Sequence, residues 1–196
     1  MNLNESILHF FNDFAGRWNV LDIIAKDIIT FIPIMMCVVI AIIYFIGVFK
    51  KKVEYRHVAV STFCFLVINL IIGYIISNIY YKPRPLIAEN GSINAPVSHV
   101  DDSSFPSDHM MVTTSLTFGV FSAFKILGYI FMICTIIIGI DKIYLGHHYP
   151  IDIVLTVLYV CIIRVIYNKF LSKHIIRFYD FVEKNITNTL HFDNRY

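Results

Sequence analysis

The chain has 196 residues, of which 57% are hydrophobic and 15% charged, and its formal net charge is +2. An ordinary soluble domain is about 45–50% apolar and about 25% charged, so the apolar surplus here needs lipid to cover it. High hydrophobicity excludes a disordered chain, and so small a net charge is no footprint for a nucleic acid.

In chain order, residues 5–14 come first. They set Ile7, Leu8, Phe10, Phe11 and Phe14 near one helical face, which predicts an amphipathic helix at the membrane interface or a re-entrant one. A sixth, poorly hydrophobic span is the alternative. The segment lacks a basic n-region and a small-residue cleavage site, so it does not read as a cleaved leader. A crossing helix needs about 20 mostly apolar residues. Residues 28–49 and 57–81 meet that test, and the further candidates are 107–124, 126–143 and 151–170. Residues 172–190 mix Ile175, Ile176, Phe178, Phe181 and Val182 with Lys, Arg and Glu, which reads as a second interfacial helix.

The expected fold is all-α: a polytopic membrane helical bundle of about five transmembrane helices plus an N-terminal amphipathic or re-entrant helix. It forms one domain, with a core at about 28–170 and an interfacial cytoplasmic tail at 172–196. Cys37, Cys64, Cys134 and Cys161 each lie inside an apolar run without CxxC spacing, so they read as small hydrophobes in helices.

Basic residues give the orientation. Lys50, Lys51, Lys52 and Arg56 follow the first span, Lys125 lies between the third and fourth, and Lys169, Lys173 and Arg177 follow the last. The positive-inside rule places these ends in the cytoplasm. Five spans then put the N-terminus outside, with the loop 82–105 and the turn 141–150 facing outward. Arg17, Lys26, Lys82, Arg84 and Lys142 fall on that outer side.

Three polar clusters also fall there. In Lys82-Pro83-Arg84-Pro85 two prolines end a helix and hold two cations near the membrane surface. Phe105-Pro106-Ser107-Asp108-His109 is a helix start, whose free N–H groups and partial positive charge suit an anion. The third runs from Asp141-Lys142 to His147-His148-Tyr149-Pro150-Ile151-Asp152, where His148 and Asp152 are four apart. Each cluster alone has an ordinary reading: snorkelling cations, a helix cap, a structural histidine. Together, cations, histidines and a helix N-terminus on one face suit phosphoryl transfer, with one histidine as nucleophile and another as proton donor. No metal-ligand spacing and no Walker loop is present, so the chemistry reads as metal-independent and without a cofactor.

The order Arg84-Pro85, Pro106-Ser107-Asp108-His109, then Lys142 with five residues before His148 and three before Asp152, resembles the type 2 phosphatidic acid phosphatase superfamily. The stretch 98–109 and the N-terminal segment Met1-Asn2-Leu3-Asn4-Glu5, with Leu21-Asp22, are similar to its bacitracin-resistance branch of undecaprenyl-diphosphatases. Three departures stand out. Ser77 occupies the position of the family's first lysine, Asp108 that of a glycine, and Asp141-Lys142 that of a Ser-Arg pair. Lysine keeps the charge and loses the bidentate fork.

The resemblance implies a multi-pass protein of the bacterial cell membrane that hydrolyses undecaprenyl diphosphate on the outer side and confers bacitracin tolerance. Its partners would be the polyprenyl diphosphate substrate and membrane lipids. It implies that His148 attacks the terminal phosphorus, Asp152 holds the other ring nitrogen, and His109 protonates the leaving lipid phosphate. Arg84, Lys142, Ser107 and Lys82 would bind phosphoryl oxygens, and His147 would be supportive. The rival readings are a phosphatase for another lipid phosphate, a small transporter, and a non-catalytic lipid-binding subunit. A transporter needs ionisable groups at mid-membrane depth, where only Arg164 comes close.

Overall fold

The computed structural model describes residues 2–89, 91–96 and 102–193, with side chains of the last helix as far as residue 186. Residues 98–101, part of the stretch that carries the branch resemblance, lie outside the described residues, as does Met1. Among the described residues every regular element is helical: α1 (Leu3–Asn12), α2 (Asn19–Phe49), α3 (Val53–Ile79), α4 (Pro85–Ala88), α5 (Asp108–Phe121), α6 (Lys125–Tyr144), α7 (Pro150–Ile166) and α8 (Ser172–Asp193). A π-helical turn, Tyr167–Leu171, joins the last two.

Helix α1 opens with a capping box between Asn2 and Glu5 and has 10 residues, about 15 Å, too short to cross a bilayer. It does not lie free at an interface. Its buried Asn12 donates to the carbonyls of Asn94 at 2.7 Å and Tyr144 at 2.8 Å, and accepts from the Asn94 N–H at 2.8 Å. Asn4 accepts from the N–H of Ile151 at 2.9 Å, so α1 also grips the start of α7.

Among the described residues four stretches are long and apolar enough to cross a membrane: Asn19–Phe49, Val53–Ile79, Lys125–Tyr144 and Pro150–Ile186. The first begins nine residues before the expected start at 28. Asp22, Lys26 and Asp27 extend the helix without interrupting it, and Pro33 is carried inside.

The third expected span is a different object. Helix α5 has 14 residues, about 21 Å, and buries Met110, Met111, Thr113, Thr114, Ser115, Leu116, Thr117, Gly119 and Val120. It is the central post of the bundle, packed against α3, α6, α7 and α2. Protein rather than lipid surrounds it, so it tolerates hydroxyls. Thr113 and Thr117 donate to carbonyls four residues back, at 2.9 and 2.8 Å.

Two apolar clusters hold the bundle. Met36, Ile40 and Ile43 of α2 meet Leu66, Leu116, Val120 and Phe131. Phe65, Met111, Val160 and Tyr167 form the second. Helices α3 and α5 pack tightly at Gly119, where an added Cβ would collide with the side chain of Thr62. Gly119→Ala is therefore expected to destabilise the bundle by about 1–3 kcal/mol, read as a lower thermal midpoint in detergent.

The expected interfacial tail is continuous with the last span. The chain passes from α7 through the π turn, whose Tyr167 is buried and donates to the carbonyl of Ser61 at 2.9 Å. Helix α8 then docks on the start of α3. Arg56 pairs with Glu183 at 2.9 Å and His57 with Asp180 at 2.6 Å. Its other face exposes Phe178, Phe181 and Ile186, as an interfacial helix does. The four cysteines are unbonded thiols in helices, as expected.

Candidate active site

The three polar clusters meet at one end of the bundle. Arg84 sits in extended backbone just before α4, with Pro85 as that helix's first residue. It is 4% exposed, and its guanidinium is engaged at Nε and Nη1. Nε donates to Asp102 at 2.5 Å. Nη1 donates to the carbonyl of His147 at 3.0 Å and lies 2.8 Å from Nε2 of His148.

Ser107 precedes α5 but makes no side-chain cap on it. Its N–H donates instead to Thr156 Oγ1 at 3.0 Å, and its hydroxyl turns to Nε2 of His148 at 3.2 Å. An uncapped first turn of α5 thus faces the histidine. His109 lies in that first turn, partly exposed, and Asp108 beside it is exposed.

His148 lies in the loop between α6 and α7 and is 1% exposed. The carbonyl of Lys142 accepts from the N–H groups of His147 at 3.0 Å and His148 at 3.3 Å, which closes the turn. Gly146 carries that turn at φ +68, and a Cβ there would run into Ile93. Lys142 itself is buried.

The ring of His148 is oriented by its hydrogen bonds. Nδ1 lies 2.7 Å from the carbonyl of Ser104. A carbonyl only accepts, so Nδ1 carries the proton and the Nε2 lone pair points at Arg84 and Ser107. Burial, reinforced by the nearby Arg84 and Lys142 cations, holds the His148 pKa well below 6.5. The imidazole is therefore neutral and nucleophilic at ordinary pH.

Two expected roles meet a different geometry. Asp152 was expected to hold the second ring nitrogen of His148. Its Oδ1 instead accepts from Lys82 Nζ at 2.6 Å, and its Oδ2 from the hydroxyl of Ser104 at 2.7 Å. Lys82, expected on phosphoryl oxygens, is committed to Asp152 and lies over the Tyr149 ring at 4.8 Å. The physical reason is that α7 begins at Pro150, so His148 precedes the helix and the four-residue spacing does not align the two side chains. Sequence reasoning assigned no role to Ser104, Asp102 or Thr156. The signal available was their position: two lie just before the Pro-Ser-Asp-His motif and one follows Asp152 by a helical turn. Among the described residues no three His, Cys, Asp or Glu side chains converge as metal ligands.

An all-helical membrane bundle with a buried histidine, an arginine and a helix N-terminus at one end has the parts of a phosphatase site. The model of the PAP2 superfamily matches residues 56–175, and the chain belongs to that phosphatase family.

The "Undecaprenyl-diphosphatase BcrC" of Bacillus subtilis (strain 168) is 24% identical over 168 residues, 86% of this chain and 84% of that protein. The "Bacitracin transport permease protein BcrC" of Bacillus licheniformis is 24% identical over 151 residues, 77% of this chain and 72% of that one. The crystal structure of Aquifex aeolicus LpxE superposes with a TM-score of 0.67 at 20% identity, covering 87% of this chain and 97% of that one, which establishes the shared fold.

Proposed function

We propose that the chain hydrolyses undecaprenyl diphosphate to undecaprenyl phosphate and inorganic phosphate. The observation that carries the reading is the neutral, buried His148 with its Nε2 lone pair between the Arg84 guanidinium and the Ser107 hydroxyl. In the first step Nε2 forms a bond to the terminal phosphorus as the bridging P–O bond breaks, and His109 gives its proton to the departing lipid phosphate. Water then attacks the phosphohistidine, its proton passing to His109, and inorganic phosphate leaves. Arg84, Ser107, Lys142 and the first-turn N–H groups of α5 balance the phosphoryl charge. Lys82 and Asp152 brace the site from behind.

The relatives' activity and a groove beside the site support this substrate class. Between α5, α6 and α7 a largely apolar cavity of about 490 Å³ starts at Met110, Ile143 and Pro150 and extends past Gly139 to Phe121. The first few isoprene units of a prenyl chain anchored at His148 would lie along it. A Cβ on Gly139 would stand 3.2 Å from Ile153 and 3.5 Å from Met110 Sδ. Gly139→Leu is thus expected to lower kcat/KM for the C55 diphosphate roughly tenfold or more while sparing a C5 diphosphate, whose chain ends before that point, compared by phosphate release from each.

The orientation rests on charge. Lys50, Lys51 and Lys52 between α2 and α3, Arg56 in the first turn of α3 and Lys125 at the start of α6 lie at the other end from the site, which the positive-inside rule assigns to the cytoplasm. The site then opens outward, in a multi-pass protein of the cell membrane, and activity on this lipid raises bacitracin tolerance. The test is phosphate release by the full chain in detergent, across undecaprenyl diphosphate, phosphatidylglycerophosphate and phosphatidate, with and without chelator. Preference for the diphosphate, unchanged by chelator, is the expected result. Preference for either glycerolipid would reassign the substrate.

A further inference from the structure

We infer that Ser104 is a positioning residue through which Asp152 acts on His148, so that carboxylate and imidazole are coupled at one remove. The inference rests on the reading of His148 as the nucleophile. Ser104 is completely buried and is fixed at three points. Its N–H donates to the carbonyl of Lys82 at 2.7 Å, its hydroxyl donates to Asp152 Oδ2 at 2.7 Å, and its carbonyl faces His148 Nδ1 at 2.7 Å. Both oxygens of Asp152 are already taken, one by Ser104 and the other by Lys82 Nζ at 2.6 Å. Asp152 is 1% exposed, and among the described residues its side-chain hydrogen bonds go to Lys82 and Ser104, with none to the His148 ring.

The neighbouring Ser103 strengthens the frame. Its hydroxyl accepts from the N–H of Lys82 at 3.2 Å. The strand of loop before α5 is thereby stitched to the segment after α3, and Asp152 of α7 closes the knot. A neutral carbonyl on Nδ1 fixes the tautomer, and its pull toward the imidazolium ranks below burial and the Arg84 and Lys142 charges, which hold the ring neutral. Lys82 then serves as the counter-ion of Asp152, which removes an uncompensated charge from a buried site.

The experiment measures kcat and KM for phosphate release from undecaprenyl diphosphate with the full chain in detergent. The variants are Ser104→Ala, Ser104→Thr, Asp152→Ala, the Ser104→Ala/Asp152→Ala double and His148→Ala. Folding is checked by monodisperse elution and helical content. Ser104→Ala is expected to lower kcat about 10- to 100-fold with KM nearly unchanged, because ring orientation is lost and binding is not. Ser104→Thr keeps the donor and is expected to restore most of the rate. The double variant is expected to be no slower than the slower single, since both act through one path. If Ser104→Ala aggregates, Ser104→Cys, a near-isostere with a weaker donor, is read against the same expectation.

Losses that multiply in the double variant, or full activity in Ser104→Ala beside a dead Asp152→Ala, would overturn the inference and return Asp152 to direct contact. So would a rise in KM at constant kcat. Activity persisting in His148→Ala, or absent from the wild type with every lipid, would instead sink the nucleophile reading and the inference with it.

Discussion

His148→Ala is expected to release phosphate from the lipid diphosphate at least about 10³-fold more slowly than the wild type, because the attacking nitrogen of the proposed mechanism is gone. The side chain is buried and its Nδ1 proton is committed to Ser104, which leaves Nε2 as the reacting atom. The paired measurement is His109→Ala, expected to cost about 10²–10⁴-fold on the lipid substrate as a missing proton donor does. The two variants separate on p-nitrophenyl phosphate, whose leaving group needs no proton. In a single turnover His109→Ala should recover much of its rate of p-nitrophenolate release, since only the later hydrolysis still needs His109, and His148→Ala should not. Equal recovery by both would show that the roles are misassigned.

Arg84→Gln is expected to lower kcat about 10²–10³-fold, the usual cost of losing one preorganised charge donor. Its second effect is on pH dependence. Burial comes first among the causes that depress the His148 pKa, and the Arg84 charge comes next, ahead of Lys142. The reactive form is neutral imidazole. A depressed pKa keeps that form populated as pH falls, so wild-type activity should persist well below pH 6.5. With the cation gone the depression is smaller, the ring protonates earlier, and the acid limb of kcat/KM moves to higher pH. Arg84→Lys keeps the charge and loses the fork, so it should retain the acid limb while still losing rate. An acid limb that stays fixed in Arg84→Gln would show that another group sets it.

Much of this was legible in the sequence, and the exceptions have physical causes. Residues 28–49 and 57–81 were readable as crossing helices because an apolar run of that length has few other outcomes. The three motifs were readable because proline and helix-start chemistry act locally. Helix α5 was misjudged as an ordinary span: composition reports how apolar a segment is, but not whether lipid or protein surrounds it. The docking of α8 needs Arg56 and His57 from a turn more than 100 residues earlier. The Ser104 contact likewise joins residues 44 and 48 apart in sequence, beyond any periodicity argument.

Arg84 and Lys82 each hold a carboxylate, Asp102 and Asp152 respectively, before any substrate arrives. Asp102 is 44% exposed while the guanidinium it meets is 5% exposed, so the carboxylate can swing aside and the cation cannot. On the proposed reading, substrate binding at Arg84 would be an exchange of one anion for another rather than the filling of an empty charge. On that reading the same exchange would run backwards at the end of turnover: a tethered carboxylate would compete with inorganic phosphate at effectively high local concentration and help to clear the site.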